Sequence, residues 1–152
     1  MIVLSPIGYV RSDRRQVKDD DWGAVTARIE LSDEFDSDAL IGIEEFSHAE
    51  IIFQFDRVGE SEIEQGARHP RGNPAWPLVG IFAQRGKNRP NRLGVSIARI
   101  IARQERALKV VGVDAVDGTP VLDIKPVMAE FLPQGEVRQP PWSHELMRRY
   151  WQ

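Results

Sequence analysis

Two segments of this chain concentrate side chains able to do chemistry. The first, VGIFAQRGKNRPNRLGVS from Val79 to Ser96, crowds cations and amides together: Arg85, Lys87, Asn88, Arg89, Asn91 and Arg92. Guanidinium forks pair with carboxylates and phosphates through two parallel hydrogen bonds. Pro90 steers Arg89 toward extended geometry, while Gly86 and Gly94 admit backbone angles that other residues avoid. The second, VGVDAVDGTPVLDIKP from Val111 to Pro126, places Asp114, Asp117 and Asp123 within ten positions, beside Lys125. Carboxylates so grouped suit ribose hydroxyls, an amino group or a sulfonium cation. Equally, Asp117-Gly118 is a turn signal, and Asp123 with Lys125 makes a structural ion pair.

Other chemistries are poorly supplied. There are no cysteines, which removes disulfides, thiolate nucleophiles and Cys-based zinc sites. The three histidines, His48, His69 and His144, lie far apart in the chain, so no metal site is expected. His69 is the better functional candidate, because it sits between Arg68 and Arg71 in a Pro/Gly-rich loop. Walker A, G-x-G-x-x-G, H-E-x-x-H and G-x-S-x-G patterns are all absent. A nucleotide-derived ligand must therefore be held by something other than a Rossmann turn.

Charge is unevenly placed. Between Gln65 and Gln104 there is no Asp or Glu, yet there are eight cations: Arg68, Arg71, Arg85, Lys87, Arg89, Arg92, Arg99 and Arg103. The net charge of −3 hides this asymmetry. Either the stretch meets an anionic, phosphate-bearing partner, or its arginines pair with carboxylates from the flanking acidic segments.

The elements that must position these groups read as strands. Ile2 to Val10 and Ala24 to Leu31 alternate, the latter with Val25, Ala27, Ile29 and Leu31 on one side. A short helix is expected around Leu40, Ile41 and Ile43, then strands over Ala49 to Val58 and Leu78 to Gln84. Gly66 to Pro77 holds three prolines and two glycines and reads as an irregular loop. Leu93 to Ala102 alternates with Val95, Ile97 and Ile101 on one face, and pairs with Ala107 to Val113. Val121 to Ile124 is a last short strand, and Ser143 to Trp151 a terminal helix. Turns this short exclude crossover helices, so the fold class is mainly β: a small single-domain antiparallel β-barrel with one or two short helices. With 152 residues the chain suits one domain, divided as a barrel over 1–135 and an extension over 136–152. No apolar run reaches the roughly 20 residues of a membrane span, and MIVLSPIGYV reads as a strand, so a cytoplasmic chain is expected.

The two segments together resemble the TsaA-like (YaeB/TrmO) family. They carry Phe82-Ala83-Gln84-Arg85, Arg89-Pro90-Asn91, Leu93-Gly94-Val95-Ser96 and the long run from Gly112 to Pro126. Pro6-Ile7-Gly8-Tyr9-Val10 and His69-Pro70-Arg71 are similar to that family as well, so the likeness covers about residues 5 to 130. The resemblance implies a β-barrel that binds S-adenosylmethionine near a homodimer interface and methylates N6 of threonylcarbamoyladenosine beside a tRNA anticodon. Carried over by position, it implies cofactor contacts from Phe82, Arg85, Arg89, Asn91, Asp117, Thr119 and Leu122. Residue chemistry adds His69 and Asp117 as candidate bases, and Arg71, Lys87 and Arg92 as phosphate-binding groups. Gly86-Lys87-Asn88 replaces the Ser-Pro common in the family, and Val127 a common Tyr, which bears on the RNA substrate. The alternatives are an S-adenosylmethionine-binding module, or a methyltransferase acting on a small metabolite or another RNA site.

Overall fold

A computed structural model describes residues 1–152. Alternating apolar residues build six barrel strands: β1 (Gly8–Arg11), β2 (Thr26–Leu31), β3 (His48–Gln54), β6 (Leu93–Gln104), β7 (Ala107–Val111) and β8 (Pro120–Pro126). They close in the order β1-β2-β7-β6-β3-β8, every pairing antiparallel. Closure leaves no unpaired edge. The two-residue strands β4 (Ala67–Arg68) and β5 (Val79–Gly80) form a separate small ribbon. The one α-helix, α1 (Pro141–Met147), begins directly after Pro140. The mainly β fold class and its closed antiparallel barrel are as expected.

Inside the barrel, Val10, Ile29, Ile51, Phe53, Leu108, Val110 and Val121 are fully buried. Each large side chain removed from water contributes roughly 1.5–3 kcal/mol. The segment after β7 adds Val113 and Ala115 to the same core, so the Asp-rich motif is anchored by its apolar residues while its carboxylates stay outside.

Several local expectations change. Met1 to Leu4 are exposed and the first strand starts only at Gly8. The expected helix near Leu40 is two 3₁₀ turns, Ser37–Leu40 and Ile43–Glu45, in which only Leu40 is buried. The strand expected over Leu78 to Gln84 ends at Gly80 and continues as a 3₁₀ turn over Ile81–Ala83, which turns Phe82 outward. On β6 the alternation leaves the inward face open, and packing decides it. Its buried side chains are Ser96 and Ala98, while Val95 (40% exposed), Ile97 (51%) and Ile101 (41%) face outward. Volume explains the choice of face. A Cβ on Gly94 would lie 2.5 Å from the Phe53 ring, so this strand must turn small residues toward a narrow interior already filled by β3.

Candidate functional site

Outside the barrel a groove of about 1590 Å³ runs between several pieces of chain. They include the loop from Phe82 to Pro90, the segment from Asp114 to Thr119, the arm around Trp22, the C-terminal residues from Gln139 to Trp151, the end of β3 with the turn after it at Phe53–Val58, and the start of β6 at Leu93–Ile97. Its size exceeds what a single nucleoside-sized ligand requires.

The cationic loop is held by Gln84, which is 9% exposed. Gln84 Nε2 donates to the carbonyls of Arg68 and Val79, each at 3.0 Å, and the Gln84 carbonyl accepts from Arg89 at 2.7 Å. Arg85 donates to the Val95 carbonyl at 3.1 Å. Phe82 is 79% exposed at the groove wall. Beyond Pro90 the chain reverses through Asn91 (φ 64°) and Arg92 (φ 54°). Asn tolerates the left-handed region; for Arg92 that geometry costs about 1–2 kcal/mol. The cost is offset by hydrogen bonds at both ends of the residue. Arg92 donates to the Val58 carbonyl at 2.6 Å, and its own carbonyl accepts from Phe55 N at 2.8 Å.

Of the residues singled out from sequence, Phe82, Arg85, Lys87, Arg89, Arg71 and Thr119 line this groove. Thr119 is buried, with its hydroxyl donating to the Val116 carbonyl at 2.7 Å. Arg71 lies on the rim with its guanidinium on Asp20 at 3.1 Å. The remaining candidates are elsewhere. Asp117 accepts from Ser12 N at 3.0 Å and so ties the turn to the N-terminal arm. His69 Nδ1 lies 2.7 Å from the Trp76 carbonyl, which fixes the proton on Nδ1. Asn91 and Arg92 form the reversal behind the loop, and Leu122 is the unpaired residue where β8 slips register against β3. No group of three or more His, Asp or Glu side chains is arranged to hold a metal ion.

Two groups at the groove were not assigned from sequence. Asp114 accepts hydrogen bonds from the Ser96 hydroxyl and the Tyr150 phenol, one on each carboxylate oxygen. Burial, together with the charge and hydrogen bond of Asp114, pushes the Tyr150 phenol far above its usual range; the Arg71 and Arg85 guanidiniums act in the opposite sense. Asp114 was visible as one of three clustered carboxylates. Tyr150 carried no signal, because its partner lies 36 residues away and the contact needs the chain end to fold back.

The residue types at the groove fit a ligand with both kinds of group: guanidiniums without carboxylate partners suit an anionic part, and the exposed Phe82 ring and the fixed Asp114 carboxylate suit a cationic or hydroxyl-bearing part. Residues 16–131 match the family described as the tRNA-methyltransferase O N-terminal domain. The chain belongs to this family. A probable S-adenosyl-L-methionine-binding protein of Pyrococcus abyssi is 36% identical over 144 residues, covering 91% of this chain and 74% of that protein. The tRNA (adenine(37)-N6)-methyltransferase of Escherichia coli K12 is 40% identical over 105 residues, covering 64% of this chain and 43% of the enzyme. The crystal structure of TrmO from Pseudomonas aeruginosa superposes with a TM-score of 0.73 at 30% identity, covering 91% of this chain and 61% of that one. The chain thus spans about three-fifths of the solved TrmO chain and less than half of the E. coli enzyme.

Proposed function

We propose that the protein is an S-adenosylmethionine-dependent methyltransferase that modifies N6 of adenosine 37 in tRNA, with threonylcarbamoyladenosine as the acceptor. The observation that carries this reading is the groove itself. Family-motif residues Phe82, Arg85, Arg89 and Thr119 line it, and Arg85, Lys87 and Arg89 have no carboxylate within 4 Å. S-adenosylmethionine supplies an electrophilic methyl on a sulfonium centre. Phe82 offers its ring face to that positive charge. Arg85 and Arg89 pair with the carboxylate of the methionyl portion, and Thr119 walls the pocket. The barrel's contribution is to fix donor and acceptor in a reactive geometry, which supplies much of the rate in a direct transfer. Lys87, on the same loop, faces the RNA phosphates.

The barrel over 1–135 supplies the cofactor-binding residues, and the extension over 136–152 packs against it. The protein acts as a homodimer: Leu93, Val95 and Ile97 expose an apolar row on β6 that continues into the groove, and a second copy would cover it. It works in the cytoplasm, where its tRNA is. No helix is long and apolar enough to cross a membrane.

The test combines calorimetry with S-adenosylmethionine and methyl transfer to tRNA that carries threonylcarbamoyladenosine but lacks the methyl group, the product located by mass spectrometry. A new methyl on N6 of nucleotide 37 is expected. Cofactor binding without transfer to any tRNA would overturn the enzyme reading in favour of a binding module.

A further inference from the structure

Residues 132–152 lie beyond the matched family region, yet they form one wall of the groove. They are docked on their own barrel. The carbonyls of Arg149 and Tyr150 accept from Asp21 N at 3.0 Å and Trp22 N at 2.7 Å, and Trp76 Nε1 donates to Glu145 at 2.9 Å. Gly23 makes the docking possible, because a Cβ there would lie 1.9 Å from the Trp151 carbonyl oxygen. The result is that Tyr150 reaches into the groove beside Asp114, where the charges of Arg71 and Arg85 also act on it.

The three polar side chains form an ordered set. Ser96 and Tyr150 each donate to one oxygen of Asp114 and fix the carboxylate in place. Tyr150 donates to Asp114, and no protein group donates to its phenol oxygen, so a lone pair is available on the groove side. The acceptor nitrogen of the proposed reaction has an N–H that must be lost when it gains a methyl group. A phenol already donating to a carboxylate can receive that proton only by releasing its own.

We propose that Tyr150 is a catalytic residue that takes the acceptor's N–H proton and passes its own phenol proton to Asp114. The proposal rests on the methyltransferase reading above. As the new N–CH₃ bond forms from the sulfonium donor, the N–H bond breaks toward the Tyr150 oxygen and the phenol O–H bond breaks toward Asp114. The donor's positive charge and the carboxylate's negative charge both disappear, leaving a neutral thioether and a neutral carboxylic acid. Free phenolate is never formed, in keeping with the strongly raised phenol. Ser96 is a positioning residue, acting through Asp114.

Tyr150→Phe removes only the hydroxyl. The expected result is a loss of about 100-fold in single-turnover methyl transfer, with S-adenosylmethionine affinity by calorimetry held within about twofold. The pH profile separates a proton role from a structural one. A relay through Tyr150 gives the wild-type rate a pH dependence that the variant loses, and the variant's residual rate should climb with hydroxide. Asp114→Asn should give the same loss and profile, and the double variant should lose no more than either single one, because the pair acts as a unit. A readout independent of turnover is the titration of tyrosine labelled with ¹³C at Cζ. Tyr9 and Tyr150 are the only two tyrosines, and Tyr150 should move toward its ordinary range in Asp114→Asn. A Tyr150→Phe enzyme with wild-type rate, or one with a reduced rate and an unchanged pH profile, overturns the relay while leaving the methyltransferase reading intact. A Tyr150 that titrates in its ordinary range in the wild type overturns it as well. A wild-type protein that transfers no methyl to any tRNA overturns both.

Discussion

Two sets of cations share the acid-free stretch from Gln65 to Gln104, and they do different work. Arg71, Arg92 and Arg103 are tied into the fold: to Asp20 at 3.1 Å, to the Val58 carbonyl at 2.6 Å and to Glu44 at 3.3 Å. Arg85, Lys87 and Arg89 reach the groove with no carboxylate beside them. The pairing reading holds for Arg71 and Arg103, while the three groove cations stay without carboxylates and leave room for an anionic ligand. Arg85 and Arg89 also donate to carbonyls, those of Val95 and Gln84 at 3.1 and 2.7 Å, yet they meet no carboxylate and stay at the groove. Arg71 and Arg103 are held by acidic side chains, and Arg92 is turned behind the loop onto the Val58 carbonyl.

That contrast can be broken first at Arg85. Arg85→Ala should weaken S-adenosylmethionine binding by about 10- to 100-fold, the value of a charge-assisted hydrogen bond of roughly 1.5–3 kcal/mol. Its stability to urea should stay within about 0.5 kcal/mol, as for ordinary surface substitutions. Calorimetry and urea unfolding on the same protein decide it. Lost affinity accompanied by a comparable loss of stability would move Arg85 into the structural set.

Arg92 is the mirror case. Arg92→Ala leaves the buried Val58 residue with an unmatched carbonyl, so stability should fall by about 1–3 kcal/mol. The urea midpoint should drop at constant slope, with cofactor affinity unchanged in the folded fraction. An unaltered midpoint would remove Arg92 from the cross-links.

Tyr150 joins the two sets, because Arg71 and Arg85 both act on it. Folding holds its phenol neutral well above the ordinary value of about 10. Above that pH the unfolded chain has released a proton that the folded chain keeps. The stability is therefore full below about pH 10 and declines as pH rises beyond it, by up to about 1.4 kcal/mol per pH unit. In Tyr150→Phe this part of the alkaline slope should vanish. Urea midpoints from pH 9 to 11 measure it.

How much of this was legible depends on sequence distance. The barrel was, because β2 and β3 alternate cleanly and Val10, Ile29 and Ile51 fall where period two puts them. The facing of β6 was not. Alternation gives two faces without saying which is inside, and Gly94, Ser96 and Ala98 took the interior because Phe53 had filled it. Contiguous motifs delivered the groove side of Phe82, Arg85 and Arg89. The Ser96–Asp114–Tyr150 set combines positions 18 and 36 residues apart, and nothing in local pattern reports such a meeting.

Lys87 sharpens the comparison on the RNA side. Each phosphate contact releases condensed counterions, so Lys87→Ala should reduce the slope of log affinity for tRNA against log salt by about one unit. The affinity should fall severalfold at low salt and the difference should shrink as salt rises. Filter binding across a salt series reads both quantities. A parallel line would place Lys87 away from the phosphates.

Arg71 gives the smallest effect and the finest discrimination, since it lines the groove and is also paired. Its contact with Asp20 is between half-exposed side chains, 26% and 31% accessible, a setting in which ion pairs contribute about 0.2–1 kcal/mol. Arg71→Gln should therefore lower stability by that amount, and the difference should fade in high salt as screening removes the pair. Arg71 also sits at φ 52°, where a non-glycine residue is strained. Arg71→Gly loses the same pair but relieves the backbone, so it should be less destabilised than Arg71→Gln despite being the larger truncation. If the pairing is Arg71's main work, the salt slope for tRNA stays unchanged in both variants. A fall of about one unit, as expected for Lys87, would mean that Asp20 releases the guanidinium to RNA.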